Sequence, residues 1–285
     1  MVTTYNDAER IEPCIRSCLG QRGLASVAIV VADDGSTDAT LAILQRLAAQ
    51  VDNLHILVLP HGERGQARAA AIEKALTLAP DFLLFIDSDM TLQEGLVARC
   101  ADYAQQHHYG ALVIPESAFS LSTNFFTQVK VFERNIINNA GASYNGANSI
   151  ESARFWRTDA YLHSGGFRPA QIAFEETQPT LRYLARGGKV GRAIFTAIEH
   201  DEKQVTLRSL VAKKRYYFSK LQLTVDTEED GFKKMWQRWF FLRPVLYRPA
   251  NLYRYIRHPH LALGMIAMYL LLTGVAIAEY TKPHL

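Results

Sequence analysis

Two carboxylates stand two residues apart, Asp87 and Asp89, directly behind the apolar run Leu83–Ile86. A short apolar run bounded by polar residues reads as a buried strand of a parallel sheet. Ligands of open α/β sheets bind at the carboxyl ends of the strands, so the pair sits where chemistry is expected. Hard oxygen donors there suit Mg²⁺ or Mn²⁺, which bind one or two carboxylates together with substrate phosphates. Alone, the pair would read as loop carboxylates in a capping role. Two further strand ends carry polar clusters, Thr4–Asn6 and Asp33–Asp38. A second acidic pair, Glu175-Glu176, comes after Gly165-Gly166-Phe167. By itself it reads as the solvated start of a helix, where the dipole favours acids. His200 closes a late strand and, taken singly, reads as a surface histidine.

Strands must position these groups. Val27–Ala32, Leu54–Leu59 and Phe82–Ile86 read as strands, and helices are predicted near Ala8–Gln21, from Ser36–Asp38 through Ala49, and over Gln66–Leu78. This alternation is a doubly wound α/β pattern. Leu112–Pro115 and Ile194–His200 read as further strands and Phe125–Ile137 as a helix, and Pro179 suits the first turn of another. The opening strand is short at its front, so several residues are expected to precede Met1. A G-x-G-x-x-G or P-loop fingerprint is absent; nucleotide binding would rest on carboxylates and a metal.

Four segments in order, V-T-T-Y-N, V-A-D-D-G-S-T-D, G-E-R-G-Q-A-R-A-A-A-I and F-I-D-S-D, resemble the nucleotide-binding half of the family 2 glycosyltransferases, with a GT-A fold. The resemblance implies a nucleotide-sugar donor site at Thr4, Tyr5, Asp33, Arg64 or Arg68, Asp87 and Ser88. It implies a divalent cation on Asp87 and Asp89, with His200 as a third ligand. It places Glu176, beside Glu175, at the catalytic base, because Arg182 lies six residues on, as in the family's pattern. The chain departs from that pattern in carrying glutamate for aspartate and Thr177-Gln178-Pro179 after it. The block from Ile150 to Phe155, with the later His200 and Lys213–Tyr217, is similar to a subgroup found with bacterial surface-polysaccharide machinery.

The chain has 285 residues, 48% hydrophobic and 21% charged, with a net charge of +3. That charge is too small to argue for nucleic acid. Three cysteines, Cys14, Cys18 and Cys100, make no zinc knuckle, and so sparse a count fits a reducing compartment. No basic region followed by an apolar run marks a signal peptide. Residues 1–220 are expected to form the catalytic domain. Residues 221–285 are a basic, aromatic interfacial region ending in Leu261–Ala278, which is uncharged and long enough to span or re-enter a bilayer. The expectation is an inverting, metal-dependent glycosyltransferase using a UDP-sugar and a lipid-linked or membrane-surface acceptor, at the cytoplasmic side of the inner membrane. The rivals are a non-catalytic sugar-nucleotide-binding or scaffold member of a membrane glycan-assembly complex and a nucleotidyltransferase, whose glycine-rich basic loop Met1–Arg10 lacks.

Overall fold

The structure, a computed structural model, describes residues 1–62, 64–147, 151–167, 177–219 and 240–280. Glu175 and Glu176 lie outside the described residues. The chain divides into two compact units. One comprises Met1–Glu116 and most of the chain from Gly141 to His200; the other comprises Ser117–Ala140 and the chain from Asp201 onward.

The first unit opens with β1 (Val2–Thr4), α1 (Ile11–Leu19), β2 (Ile29–Asp33), α2 (Thr40–Ala48), β3 (Leu54–Val58), α3 (Arg64–Leu76) and β4 (Phe82–Asp87). It continues through β5 (Met90–Thr91), α4 (Leu96–Gln106) and β6 (Ala111–Val113). After β7 (Glu116–Phe119) and α5 (Phe125–Asn138) come β8 (Arg154–Arg157), α6 (Thr158–His163), α7 (Thr177–Ala185), β9 (Val190–Arg192) and β10 (Ile198–Asp201). Seven strands form one sheet in the order β3-β2-β1-β4-β8-β6-β9. The first four run parallel. β8 is antiparallel to both neighbours, and β9 is parallel to β6.

Side chains alternate across a strand, and both faces of this sheet are covered. Ile29 and Val31 of β2 face a core with Ile15, Leu44 and Leu47 from α1 and α2. Val30 and Ala32 face the other way, toward Ala67, Ala71 and Ile72 of α3. Two-sided burial explains why β2 is a continuous apolar run. Each fully buried Val or Ile contributes about 1.5–3 kcal/mol.

The register sets the polar edge. Thr4 pairs with Asp33, and Thr3 pairs with Asp87, so three strands end together in polar side chains. The turns behind them consume the residues expected to start helices. Asn6 adopts a positive φ of 47°, which asparagine tolerates better than most residues. Its Oδ1 accepts from the Thr37 N–H at 2.7 Å, and Asp38 Oδ1 accepts from the Thr40 N–H at 2.9 Å. Helix α2 therefore begins at Thr40 rather than Ser36. The late strand also starts later than expected, at Ile198, because Ala193–Thr196 turns on itself through a Thr196 N–H to Ala193 O bond. Cys14, Cys18 and Cys100 are free and buried.

The second unit contains α5, α8 (Leu207–Ser219), α9 (Pro249–Arg257) and α10 (Pro259–Tyr280). Helix α10 buries Met265, Met268, Tyr269, Leu272 and Ala276, one stripe at helical spacing. Its approach to α5 depends on Gly264, where a Cβ would stand 2.6 Å from Val129 Cγ2. The opposite face exposes Leu263, Ile266, Leu270, Leu271 and Ile277. Its 22 residues extend about 33 Å, slightly more than a bilayer's hydrocarbon core. Among the described residues it is the one helix long and apolar enough to cross a membrane.

Candidate active site

The polar residues at the sheet edge are buried: Thr4, Asp7, Asp33, Asp34, Arg68, Asp87, Ser88, Glu116 and His200. Buried polar groups are costly unless hydrogen-bonded, and most of these partners can be named. The Asp33 carboxylate accepts the Ser36 hydroxyl and, at 3.3 Å, the Ser36 N–H. Asp34 faces the next loop instead. Its Oδ1 accepts the Gly62 N–H at 3.1 Å, and its Oδ2 lies 3.1 Å from His61 Nδ1. The two loops approach so closely that a Cβ on Gly35, where φ is +72°, would stand 2.7 Å from His61 N.

Tyr5 and His61 stack with centroids 4.0 Å apart and planes 15° apart. Both rings are well exposed. Together they form an aromatic step at the end of β1, next to Asp34. The sequence alone does not single out His61. Only the fold brings it beside Tyr5.

Asp87 ends β4 and accepts from Arg68 Nη2 at 2.7 Å. The Arg68 guanidinium thus lies on the first carboxylate of the D-x-D pair, a contact that sequence spacing does not reveal. Ser88 donates to Asp7 Oδ2 at 2.6 Å, and Arg10 Nε donates to Asp7 Oδ1 at 2.8 Å. Asp7 and Arg10, absent from the sequence-derived site, therefore tie α1's approach to the D-x-D turn. Thr4 points a buried hydroxyl inward that has no hydrogen-bond partner among the described residues. Arg64 opens α3.

Asp89 and His200, distant in sequence, meet because β10 pairs antiparallel with β5, His200 opposite Met90. His200 Nε2 lies 3.4 Å from Asp89 Oδ2, and Arg10 Nη1 lies 3.6 Å from the same oxygen. Burial opposes ionisation of Asp89, but the hydrogen bond and charge of His200, with Arg10, hold its carboxyl below the usual value. His200 Nδ1 is 2.9 Å from Glu116 Oε2, and Glu116 Oε1 accepts the Ser152 N–H at 2.7 Å. A carboxylate only accepts, so Nδ1 donates to Glu116, and Nε2, turned to Asp89, donates there as well unless a metal displaces its proton. This carboxylate–histidine arrangement is the usual way of orienting a metal-binding imidazole. The other Asp89 oxygen, Oδ1, is buried without a hydrogen-bond partner among the described residues.

Among the described residues no three His, Cys, Asp or Glu side chains converge as a ready-made metal centre. A hard divalent cation does not need one, because Mg²⁺ keeps waters and phosphate oxygens in its shell. The orphaned Asp89 Oδ1, Asp87 and an imidazole with a fixed proton are a donor set that fits such a cation.

The Gly165-Gly166-Phe167 turn uses positive φ at both glycines, +79° and +61°. Arg182 Nε donates to Ser164 O at 2.9 Å, and its Nη2 donates to Gly166 O. The Phe167 N–H donates to the Tyr161 hydroxyl at 3.0 Å. The arginine six residues after Glu176 thus anchors this turn. Pro179 is the third residue of α7, inside its first turn.

A family model for glycosyl transferase family 2 matches residues 1–161. Two curated relatives align over shorter stretches. A poly(ribitol-phosphate) β-N-acetylglucosaminyltransferase, TarS of Staphylococcus aureus, is 31% identical over 117 residues, 40% of this chain. A β-monoglucosyldiacylglycerol synthase of Synechocystis is 29% identical over 98 residues, 34% of this chain. Each match spans 20% of the relative's length. Among solved structures, residues 1–349 of S. aureus TarS superpose with a TM-score of 0.57 at 18% identity, covering 95% of this chain and 79% of that one. A mannosyltransferase of Pyrobaculum calidifontis, in complex with GDP-Man and Mn²⁺, superposes with a TM-score of 0.58 at 16% identity, covering 99% and 86%. The mixed sheet with carboxylates along one edge is thus a GT-A fold, and the chain belongs to glycosyl transferase family 2.

Proposed function

We propose that the protein transfers a sugar from a nucleotide-diphospho-sugar, UDP-linked, to a lipid-linked or other membrane-surface acceptor, with inversion and with Mn²⁺ or Mg²⁺. The observation that carries this reading is the buried, unpartnered Asp89 Oδ1 beside an imidazole fixed by Glu116. TarS has been seen with UDP and with UDP-GlcNAc, and the Pyrobaculum mannosyltransferase with Mn²⁺, which supports a nucleotide-sugar and a metal here.

The Tyr5–His61 step and the Asp33-Asp34 turn would receive the nucleoside, with Thr4, Arg64 and Ser88 around it. Arg68 orients Asp87. Asp87, Asp89 and His200 would hold the cation, which neutralises the donor's diphosphate and improves it as a leaving group. Glu176, flanked by Glu175, takes the proton of an acceptor hydroxyl as its oxygen attacks the anomeric carbon. The carbon–oxygen bond to the diphosphate breaks, and the nucleoside diphosphate departs. One displacement inverts the centre. Arg182, by clamping the glycine turn ahead of Glu176, acts as a positioning residue. Helix α10 would hold the enzyme at the inner membrane, with the catalytic unit on the cytoplasmic side.

The test combines donor binding and turnover. UDP-sugars raise the melting temperature in the presence of Mn²⁺, because a ligand that binds only the native state stabilises it. Asp89→Ala loses that metal-dependent rise. Glu176→Gln keeps the rise and loses transfer. Unchanged transfer by Glu176→Gln removes it as base, and no rise with any donor favours a non-catalytic scaffold member.

A further inference from the structure

Helix α9 is turned inside out. Its polar side chains and its N-cap Arg248 face the protein, where they donate to carbonyls at and just past the end of α5. Asn251 Nδ2 donates to Ile136 O at 2.9 Å, Arg254 Nη1 donates to Asn135 O at 3.1 Å, and Arg248 Nη1 donates to Asn139 O. Asn251 is fully buried, while Leu252, Tyr253 and Ile256 are 48%, 64% and 79% exposed. Leu263, Ile266 and Leu270 of α10 are exposed as well. A soluble surface helix shows the reverse arrangement.

Beside this face, α5, α9 and the start of α10 enclose a cleft of about 430 Å³. Phe132, Asn135, Tyr253, Arg254, Arg257 and His258 line it, and no carboxylate does. Arg257 is exposed and has no hydrogen-bond or ion-pair partner among the described residues. From Phe240 to Ala278 the sequence carries four arginines and two histidines, and no acid. An unpaired guanidinium in an acid-free cleft, rimmed by tyrosine and next to an outward apolar face, matches the phosphate layer above the acyl region of a bilayer.

We infer that this cleft binds the phosphate of an anionic membrane lipid, with Arg257 as its principal contact, while Leu252, Tyr253 and Ile256 enter the acyl boundary and α9 lies in the membrane plane. The inference rests on the membrane reading and adds to it a headgroup site distinct from the sugar-donor site.

Vesicle flotation of the full chain tests it. The protein binds vesicles of phosphatidylcholine with added phosphatidylglycerol more tightly than phosphatidylcholine alone. Arg257→Gln weakens binding to the anionic vesicles about fivefold, the effect of one cation near such a surface, and leaves binding to phosphatidylcholine unchanged. Arg257→Lys retains most of the preference. Ile256→Asp weakens binding to both. Undiminished preference in Arg257→Gln overturns the site. Saturable binding of inorganic phosphate without vesicles, lost in Arg257→Gln, overturns the lipid assignment in favour of a soluble anion. A dimer in solution that Ile256→Asp dissociates assigns the face to a second copy and also overturns it. Wild type that floats with neither vesicle removes the membrane reading itself.

Discussion

Replacing Glu116 with glutamine probes the proposed metal site without removing a single proposed ligand. In the wild type both Glu116 oxygens accept: Oε1 from the Ser152 N–H at 2.7 Å and Oε2 from His200 Nδ1 at 2.9 Å. Glutamine offers one acceptor and one donor in the same volume. If its oxygen stays on the Ser152 N–H, its NH₂ faces His200 Nδ1, and a donor meets a donor. The Ser152 N–H cannot change, but the imidazole can, by moving its proton to Nε2. That tautomer satisfies the glutamine and leaves Nε2 unable to ligate a metal. Loss of such an orienting partner typically costs 10–100-fold in metal affinity, or about 1.4–2.8 kcal/mol. The fold should lose less, because the hydrogen bonds to the Ser152 N–H and to His200 are re-formed. The assay is Mn²⁺ titration in the presence of UDP, followed by the paramagnetic signal of the free ion, beside a thermal melt. Glu116→Gln with native melting temperature and wild-type Mn²⁺ affinity would refute the reasoning, because His200 would then play no part as a ligand.

Three further substitutions have direct readouts. Gly35→Ala places a Cβ 2.7 Å from His61 N at a φ of +72°, a strain of about 1–3 kcal/mol; the melt should fall several degrees, and an unchanged melt would mean that the two loops do not approach so closely. Arg182→Ala removes two charge-assisted bonds to Ser164 O and Gly166 O, each worth about 1.5–3 kcal/mol; transfer should fall far more than UDP binding, and a proportional loss of both would deny it a positioning role. In the second unit, burial works against ionised Glu133, yet Lys130 at 2.5 Å, Arg243 and the Tyr269 hydroxyl hold its carboxyl down at about 2. A depressed carboxyl stabilises above its unfolded value of 4.5 and loses that contribution as pH falls toward about 2. The difference between these two values corresponds to about 3 kcal/mol. An acid titration of stability should show this loss in the wild type and not in Glu133→Gln.

The parallel half of the fold was legible because each of its strands is a bounded apolar run and each connection a helix. Val30 and Ala32 need one face covered and Ile29 and Val31 the other, so only a sheet buried on both sides satisfies the pattern. The antiparallel insertion was not legible. Strand β8 reads Arg154-Phe155-Trp156-Arg157, with a fully buried arginine where a periodicity argument expects an apolar residue. Helix α4 is hard to see in the sequence for a related reason, since its Arg99 and Asp102 break the apolar run. At the site, Asp87 and Asp89 could be found by spacing, and His200 by its place at a strand end. Glu116 and Asp7 could not, because each is a lone acid whose meaning lies in a partner more than 80 residues away.

The C-terminal third marks the limit of composition as a guide. Tyrosines, arginines and an uncharged helix signal a bilayer surface, but composition does not say which side of α9 meets it. On a helical wheel Asn251, Arg254 and Arg248 could as well have faced water, with Leu252 and Ile256 packed inward. What decides the orientation is the end of α5. The Ile136 carbonyl near that end has no backbone partner among the described residues, and burying it bare would cost about 1–3 kcal/mol. Asn251, Arg254 and Arg248 supply the donors, which turns Leu252, Tyr253 and Ile256 outward. The exposed apolar face thus follows from satisfying a helix terminus rather than from hydrophobicity. Asn251→Leu should accordingly destabilise the second unit although it adds apolar surface, because it leaves the carbonyl of Ile136 unpaired and removes a second donor from that of Val245. A melt in detergent at or above that of the wild type would show that packing, not carbonyl capping, orients α9.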